Sequence, residues 1–541
     1  MKKVFLLSPY CEDTYKMDNH SLNYIRYFLI DNGYSCEAVD LSDYDHDYKF
    51  VESLLFPHRD DKIVIGVTGY TRERFHAYRL IKKVREVCPN ACIVVGGHHF
   101  GYLAKETMLN LEEVDIVVRG EGEITFKKIC DAVKNGDSFS SIEGITYRNK
   151  NLIDEKTGNP SIIENKNAGL ERNLDKFRTW DYQEFKDNYK HQLQPSKLDP
   201  GNKYITVMAT RGCPSNCNFC SLTTDIVRFR SIGNIVDEIE EKINISNCKN
   251  ISFADSSLTV NKNYVRSLCD EIINRKLNIQ WNCYSRIDMD HDLLAYMKKS
   301  GCVSVEIALE SGSPRILKAI GKGTSLEKYM DFVKLAYDLG IKAWCFLIVS
   351  STDEEYKDAE MTLDLLEKSS KYVYDFGLQV TRILPDTQLD SIARERGVIP
   401  KDFDWFAPYE CHHEKLFKTD SYKTLPIYVE KMTNDEISRI LERFEVIKER
   451  HFVYTDGLRK IILGNFQFHR LKKYHFTGYV RKVRRLFVML KNINKSSNKV
   501  KHFENIEVDT NILKRPDSNT YTNDRVFNKD AIYRSKKGNL V

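Results

Sequence analysis

The sequence lacks a long hydrophobic run. No stretch reaches the roughly 18 consecutive apolar residues that a membrane-spanning helix needs. The opening segment, Met1–Pro9, contains an apolar stretch too short for a signal peptide and is expected to form a β-strand instead. A strong net charge is missing too, because 82 basic and 77 acidic side chains nearly balance. These absences argue against a membrane span and against nucleic acid as a general partner.

A disulfide framework is also absent. Most of the 14 cysteines stand singly within apolar stretches, as Cys36, Cys92 and Cys269 do. Buried free thiols are used in this way in a reducing compartment, so we expect a cytoplasmic protein. With 541 residues, of which 42% are hydrophobic, the chain is long enough for about three or four domains.

One group of cysteines follows a different pattern. Cys213, Cys217 and Cys220 lie at a C-x₃-C-x₂-C spacing after the apolar strand predicted at Tyr204–Ala209. Soft thiolates favour zinc or iron–sulfur clusters over hard cations. Structural zinc usually takes four protein ligands, and no fourth cysteine or histidine lies nearby. The spacing indicates a three-thiolate site with an open metal position, such as a 4Fe–4S cluster with one open iron. Three free thiols are the alternative interpretation.

Residues 1–155 are predicted to form an open, doubly wound, Rossmann-like α/β domain. Short continuous apolar strands alternate with helices, which is typical of a parallel sheet covered on both faces. A hairpin of 144–148 with 152–153 is expected to end this domain. The G-x-G-x-x-G fingerprint is missing after the first strand, which argues against a nicotinamide or flavin cofactor. Ligands of such sheets bind beyond the carboxyl ends of the strands. Three glycine-containing segments follow strands there: Thr68–Tyr70, Gly96–His99 and Gly120–Glu123.

The series Val94-Val-Gly-Gly-His-His99, followed by Asp115-Ile-Val-Val-Arg-Gly-Glu-Gly-Glu123, resembles the cobalamin-binding domain at the N-terminus of one class of radical enzymes. The resemblance implies a corrinoid lying across the carboxyl edge of the sheet. The motif D-x-H-x-x-G, which supplies a histidine to cobalt, is not matched. His20 could ligate cobalt, but we expect it to be a solvated residue of the first helical turn, with no protein histidine beneath the corrinoid. The implied cobalamin contacts are Thr68, Tyr70, Gly96, Gly97, His98, His99, Gly120, Glu121, Gly122 and Glu123.

Residues 201–390 repeat a strand–helix unit six times, after a polar connector at 156–200. Six units are too few to close a (β/α)₈ barrel, so an open, partial (β/α)₆ barrel is predicted. Chemistry in such barrels sits on the loops after the carboxyl ends of the strands. The cysteine loop follows the first strand. Five further residues fall at or just past strand ends and are expected to face the same mouth: Asp255, Arg286, Glu306, Glu310 and Ser311.

The cysteine motif, with Phe219 before its last cysteine and Arg211-Gly-Cys-Pro214 leading into it, resembles the defining motif of the radical S-adenosylmethionine superfamily. Leu309-Glu-Ser-Gly-Ser313 through Lys322-Gly-Thr324 is similar to its cobalamin-associated class. The resemblance covers residues 1–390. It implies that the open iron holds S-adenosylmethionine, which one electron cleaves to methionine and a 5′-deoxyadenosyl radical. An external reductant such as flavodoxin or ferredoxin is implied.

The resemblance also suggests roles at this mouth. Phe219 is a candidate for packing on adenine, and Arg286 or Ser311 for binding the carboxylate of S-adenosylmethionine. Glu306 and Glu310 are candidates for its amino group or ribose hydroxyls. Arg286 could instead pair with Asp288, and Glu306 could simply be a polar residue of the barrel interior.

Two turns depart from the pattern of that class. The fifth barrel strand commonly ends in Gly-x-Pro-Gly-Glu-Thr, where this chain has Val349-Ser-Ser-Thr-Asp-Glu-Glu355. The sixth commonly ends in Pro-Gly-Thr, where this chain has Pro385-Asp-Thr387. Both turns border the adenosyl and substrate region. We therefore expect a mouth shaped for an unusual substrate, which the sequence does not identify.

Residues 391–491 are predicted to be mostly helical, with a helix at Asp435–His451, and residues 492–541 to be a disordered tail. The basic and aromatic stretch Gly457–Lys491 favours an amphipathic helical pair with a solvated basic face over a surface for nucleic acid or anionic lipid. Neighbouring side chains in Cys411-His-His413 cannot easily face one metal ion, so a loop is expected there.

The leading functional hypothesis is a cobalamin-dependent radical methyltransferase that acts on an unactivated carbon of an unknown substrate. A second is a radical enzyme of the same architecture that catalyses a rearrangement, a cyclisation or an oxygen insertion. A cobalamin-free radical enzyme is a further version. From another class, the basic C-terminal region leaves a nucleic-acid-modifying or membrane-associated factor as an alternative.

Overall fold

Two seven-stranded sheets follow one another along the chain. The computed structural model describes residues 3–11, 20–44, 48–155, 157–195, 203–222, 224, 226–409 and 423–455. The chain divides into two units, 1–449 and 450–541. All elements named below belong to the first unit, apart from the end of the last helix. The predicted basic stretch 457–491, the tail and Cys411–His413 lie outside the described residues.

The first sheet has the order β2-β1-β3-β4-β5-β6-β7, in which the first five strands are parallel and the last two antiparallel. In the doubly wound order 2-1-3-4-5, ligands bind at the switch point between β1 and β3. The strands are β1 Lys3–Ser8, β2 Ser35–Asp40, β3 Val64–Thr68, β4 Cys92–Gly96, β5 Ile116–Val118, β6 Ile145–Ile153 and β7 Pro160–Glu164.

Helices cover both faces of this sheet, which explains why its central strands, such as β1 and β4, are mostly apolar. Phe5 and Leu7 of β1 pack in the core on one face, and Val4 and Leu6 pack in the core on the other. Alternate side chains of a strand point to opposite faces, so a strand between two helical layers needs apolar residues at every position. The helices are α1 His20–Asp31, α2 Lys49–Leu55, α3 Arg74–Val87, α4 His98–Tyr102, α5 Ala104–Asn110 and α6 Glu123–Asn135.

The predicted hairpin at the end of this sheet is wrong in its pairing. Ile145–Ile153 is one strand, β6, and its partner is Pro160–Glu164. Between the two strands, the Asp154 carboxylate accepts a hydrogen bond from the Thr157 N–H at 2.9 Å, and Gly158 has a φ of +69°. The sheet therefore continues to Glu164.

The second sheet confirms the predicted partial barrel. Its order is β16-β15-β14-β13-β12-β9-β8, in which six parallel strands follow in chain order and β8 pairs antiparallel at one end. The described strands therefore form an open sheet with two edges. They are β8 Gln194–Pro195, β9 Lys203–Val207, β12 Asn250–Phe253, β13 Gln280–Ser285, β14 Cys302–Glu310, β15 Lys342–Val349 and β16 Asp375–Val380, with a separate pair, β10 Thr210–Arg211 and β11 Arg228–Phe229.

The helices of the barrel begin at polar caps, as the sequence pattern requires. Ser231, Asn261, Asp290 and Ser325 each accept a hydrogen bond from a backbone N–H in the first turn of the helix that follows. None of the described helices is long and apolar enough to cross a membrane. The remaining helices are α7 Tyr182–Gln192, α8 Ile232–Ser246, α9 Lys262–Asn274, α10 His291–Lys299, α11 Pro314–Ala319, α12 Leu326–Asp338, α13 Tyr356–Ser369, α14 Gln388–Glu395 and α15 Asn434–Thr455.

Candidate functional site

The three cysteines lie in the loop 212–227, which joins two short antiparallel strands, β10 and β11. We call residues 210–229 the cysteine hairpin. It follows the carboxyl end of β9, the first parallel strand of the barrel, as predicted. Gly212 opens the loop with a φ of +100°, and a Cβ there would collide with the carbonyl oxygen of Ile226. Glycine is therefore needed for the two ends of the loop to approach each other.

The donor set of the loop fits an iron–sulfur cluster. Cys213 and Cys217 are half-buried, Cys220 is exposed, and the three thiols influence one another electrostatically. Thiolates are soft ligands, and a 4Fe–4S cluster can bind each of the three at a different iron. Burial raises the pKa of the half-buried Cys217 thiol, so a bound cluster would displace its proton.

Asn218, between the second and third cysteines, fixes the loop to the barrel. Its N–H donates to the Ile320 carbonyl at 3.1 Å, and its carbonyl accepts from the Leu389 N–H at 2.8 Å. Its side-chain amide donates to Thr352 Oγ1 at 3.1 Å, within the turn that departs from the family pattern. Asn218 was not predicted from the sequence, because the spacing of the cysteines does not show what a polar residue between them contacts.

Asp255 follows β12 as predicted, but its carboxylate faces backbone. The side chain is buried, and Oδ1 accepts hydrogen bonds from the N–H groups of Ala209, at 2.9 Å, and Thr210. Burial raises the pKa of Asp255 to about 6, although these hydrogen bonds act in the opposite direction. The side chain thus holds the turn between β9 and the cysteine hairpin, which differs from the predicted position in the mouth.

Glu310, at the end of β14, lies close to the cysteines. Burial raises the pKa of its carboxyl, and Lys322 Nζ pairs with Oε1 at 3.1 Å. The charge of Lys322 also reaches the thiols of Cys217 and Cys220. Glu310 has a φ of +74°, a left-handed conformation that costs about 1–2 kcal/mol in a residue with a Cβ. The structure therefore brings Glu310 and Lys322 together beside the cysteine loop.

Arg286 follows the end of β13, whereas Glu306 lies in the middle of β14, as the alternative of a polar residue in the barrel interior requires. Asn282 Nδ2 donates to Glu306 Oε1 at 3.4 Å from the neighbouring strand. Arg286 pairs with Asp288 at 3.1 Å, which is the alternative considered from the sequence. A second nitrogen of Arg286 donates to Ser215 in the cysteine loop at 3.4 Å.

Ser311 and Phe219 have contrasting surroundings. The Ser311 hydroxyl is fully buried, lies 3.3 Å from Thr362 Oγ1 and accepts from the Ser313 N–H at 3.1 Å. It therefore supports the turn after β14 rather than facing the mouth. Phe219 is half-buried within the cysteine loop.

In the first domain, the glycine segments after β3 and β4 interlock. Gly97 has a φ of +86°, and a Cβ there would lie 2.7 Å from Thr68 Oγ1 and 3.1 Å from the carbonyl oxygen of Gly69. Beside this contact, the ring of Tyr70 is 45% exposed and stacks on His98 with centroids 5.4 Å apart. Close packing of the backbone thus leaves Tyr70 and His98 at the crevice.

His99 faces the other way. It is fully buried, with Nε2 2.5 Å from the hydroxyl oxygen of Tyr78 and its ring packed against Phe100 and Phe406. Burial, assisted by the charge of Arg74, holds the pKa of His99 well below its usual value, so the imidazole is neutral. The side chain belongs to the core, which corrects the expectation that it contacts a ligand in the crevice.

The segment Gly120–Glu123 has two different sides. Gly120 is exposed, and a Cβ there would have no heavy atom within 4 Å. The carboxylates of Glu121 and Glu123 instead pair with the arginines of the cysteine hairpin. Arg211 Nη2 lies 2.7 Å from Glu123 Oε1, and Arg228 Nη1 lies 2.8 Å from Glu121 Oε2.

The exposed residues fit a large flat ligand such as a corrinoid. Tyr70, Gly97 and Gly120 form an open ledge beyond β3, β4 and β5. The strand order also places the first residues of the loop after β1, Pro9–Cys11, at the switch point. Sequence reasoning omitted that loop, because its place in the crevice depends on the strand order.

Two family models match the chain. A B12 binding domain model matches residues 13–129, and a radical SAM superfamily model matches residues 207–366. The chain is 31% identical to an uncharacterized methyltransferase of Pyrococcus horikoshii over 60% of its own length and 70% of that protein. It is 23% identical to the anaerobic magnesium-protoporphyrin IX monomethyl ester cyclase of Cereibacter sphaeroides, over 63% of its length and 56% of the cyclase.

Two solved structures share the fold. The radical S-adenosylmethionine methyltransferase TsrM from Kitasatospora setae superposes with a TM-score of 0.61 at 16% identity, covering 73% of this chain and 77% of that one. The cobalamin-dependent S-adenosylmethionine radical enzyme OxsB superposes with a TM-score of 0.64 at 14% identity, covering 93% and 82%. At these identities the structures support the fold alone.

Proposed function

Because the chain belongs to the radical SAM superfamily and carries a B12-binding domain, we propose that it is a cobalamin-dependent radical methyltransferase acting on an unactivated carbon. The family matches confirm the predicted fold class and the predicted cofactors: a 4Fe–4S cluster, S-adenosylmethionine and cobalamin. The proposal rests on one observation above all, namely the three-cysteine loop at the carboxyl end of β9, held against the first domain.

When bound, the cofactors would supply the electron, the 5′-deoxyadenosyl radical and the methyl group, and residues of the chain would bind and orient them. Cys213, Cys217 and Cys220 would hold the cluster. Glu306 and Arg286 are our candidates for polar contacts with S-adenosylmethionine. Arg286 is supported by its hydrogen bond to Ser215 in the cysteine loop, and Glu306 by the resemblance alone. Glu310 and Lys322, which pair with each other at 3.1 Å, are our candidates for orienting a zwitterionic ligand beside the cysteines.

Phe219 and the open ledge complete the assignment. Phe219 is our candidate for packing against adenine. Tyr70 and Gly120 are our candidates for contact with the corrinoid, supported by their exposure, and so is the half-buried His98, which stacks on Tyr70. The thiols and the ledge belong to the same compact unit.

Radical SAM enzymes need an external electron donor. For this chain we propose flavodoxin or ferredoxin, acting in the cytoplasm. No disulfide joins the described cysteines, which supports a reducing compartment.

Reconstitution tests the proposal directly. The full-length chain would be loaded anaerobically with iron, sulfide and hydroxocobalamin, then reduced and mixed with S-adenosylmethionine. We expect iron–sulfur absorbance, corrinoid bands and formation of 5′-deoxyadenosine. Cys213→Ala, Cys217→Ala and Cys220→Ala should each abolish 5′-deoxyadenosine, whereas Cys248→Ala, a half-buried cysteine outside the loop, should not. Retained cleavage in the loop variants would refute the radical function, and missing corrinoid bands would refute the cobalamin dependence.

A radical reaction without methyl transfer is the second candidate, and the similarity to the cyclase of Cereibacter sphaeroides favours it. Methyl-deuterated S-adenosylmethionine separates the two candidates. Deuterium in the corrinoid methyl group and in the product indicates methylation. Cleavage to 5′-deoxyadenosine with no labelled methyl group on cobalamin or product indicates the second reaction.

A further inference from the structure

The first domain contacts the cysteine hairpin at the start, the middle and the end of its loop. Arg211 precedes the loop and pairs with Glu123, while Arg228 follows it and pairs with Glu121. Between them, the Tyr102 hydroxyl donates to the carbonyl of Ser221, the residue after Cys220. The segment that carries the cysteines is therefore fixed to the first domain as well as to the barrel.

The two arginines need these carboxylates. Arg211 and Arg228 are directly opposite each other on neighbouring strands, and their side chains are only 13% and 4% exposed. Like charges placed opposite each other repel, and a buried charge without a partner is costly. Glu121 contacts both arginines, at 3.5 Å from Arg211 Nη1 and through two oxygens with Arg228. The Arg211 guanidinium also lies 4.1 Å from the ring centroid of Tyr24.

The charges around Glu121 shift its pKa in the direction that this geometry requires. Burial alone would raise the pKa of its carboxyl, but the hydrogen bond from Arg228 and the charges of Arg211 and Arg228 bring it below its usual value. Glu121 therefore stays ionised and paired at neutral pH. Its carboxylate, like that of Glu123, faces the hairpin, while Gly120 beside it stays open.

We propose that Glu121 and Glu123 are positioning residues of the cluster site. Through Arg228 and Arg211 they hold the two ends of the cysteine loop at the separation at which its three thiolates take up the cluster. This inference rests on the proposed function, because it assumes that Cys213, Cys217 and Cys220 hold a cluster. It replaces the corrinoid-contact role that the sequence suggests for these two carboxylates.

Cluster stability and corrinoid binding, measured separately, test the inference. Glu123→Gln and Glu121→Gln would be reconstituted as full-length proteins and exposed to an iron chelator. We expect iron loss about tenfold faster than in the unaltered protein and a changed electron paramagnetic resonance signal of the reduced cluster, with unchanged corrinoid absorbance. Glu123→Asp should restore most of the iron retention. Glu164→Gln is the matched control, because Glu164 pairs with Arg119 in the same domain and is 56% exposed.

The outcomes separate the inference from the function on which it rests. An unaltered protein without any iron–sulfur signal refutes the proposed function. Variants that keep the cluster as well as the unaltered protein refute the inference, and they restore a corrinoid role if cobalamin is lost instead. If Glu123→Gln loses both the cluster and cobalamin, Arg211→Lys is tested next, because it alters the same ion pair without changing the first domain. Iron loss with cobalamin retained then supports the inference, and any other result overturns it.

Discussion

At the scale of single residues, neighbouring glycines of the first domain have different reasons for being glycine. Gly97 and Gly120 both have a positive φ, of +86° and +79°. Only Gly97 is also enclosed, by Thr68 and the backbone of Gly69. The left-handed conformation costs about 1–2 kcal/mol in a residue with a Cβ, and a steric clash adds to that cost.

We therefore expect Gly97→Ala to lower the free energy of unfolding by about 3 kcal/mol and Gly120→Ala by about 1–2 kcal/mol. Urea denaturation of the two variants, in the absence of cofactors, measures the difference. Equal losses would show that the contact with Thr68 relaxes without cost.

Which residues of the candidate site follow strand ends was predictable from the sequence, but the partners toward which their side chains point were not. The carboxyl ends of parallel strands meet at one edge, so Asp255 and Glu121 were correctly placed at strand ends. In the structure, Asp255 accepts hydrogen bonds from backbone N–H groups, and Glu121 pairs with arginines of the cysteine hairpin. Such partners lie 45 and 107 residues away in sequence, and no local pattern encodes them.

At the scale of elements, a buried ion cluster joins α8 to Arg230, the residue that directly follows the cysteine hairpin. Glu238 of α8 pairs with Arg230 and with Lys242, each at 2.7 Å. Burial would raise the pKa of Glu238, but the charges of Lys242 and Arg230 lower it to about 2. Removing the carboxylate leaves two buried cations without their partner.

Glu238→Gln is expected to lower the free energy of unfolding at pH 7 by about 3–5 kcal/mol. Since the folded-state pKa lies below the unfolded value of 4.5, this contribution is complete above about pH 4.5 and is lost as the pH falls toward 2. Urea denaturation from pH 7 to pH 3 should therefore show the two proteins converging. The exposed control Glu37→Gln should change little at any pH, because its pair with Lys3 is solvated.

Elements with strong periodicity were predicted well. The six parallel barrel strands and the helix at the C-terminal end appear where the pattern of apolar residues indicated. The hairpin after β5 was mispaired because β6 continues through polar residues, including Asn149 and Asn151, that also occur in turns. The extent of β6 is therefore set by its pairing with β7 and not by the strand preference of its side chains.

At the scale of the whole molecule, a segment that follows the barrel packs on the first domain. The ring of Phe406 stacks on Tyr78 with centroids 5.2 Å apart, and Arg74 Nε donates to the Trp405 carbonyl at 2.9 Å. Arg74 is fully buried, and burial lowers its pKa to about 10. The two sheets are thus connected by the chain beyond the barrel as well as by the cysteine hairpin.

Phe406→Ala is expected to lower the free energy of unfolding by about 2–3 kcal/mol, because it removes a half-buried ring from this contact. Phe56→Ala makes the same change at a ring that is 55% exposed and should cost less than about 0.5 kcal/mol. Thermal unfolding followed by circular dichroism compares the two. Equal stability of both variants would show that the first domain does not depend on this segment.

The ion pairs between Gly120–Glu123 and the cysteine hairpin bear on how such enzymes can be recombined. A chimera that takes its first domain from a relative with neutral residues at 121 and 123 would leave Arg211 and Arg228 buried without counter-charges. Grafting the domain would then weaken the hairpin of the recipient barrel, even with every ligand cysteine retained. Glu121, Glu123, Arg211 and Arg228 should therefore be kept together whenever one of the two domains is exchanged between relatives.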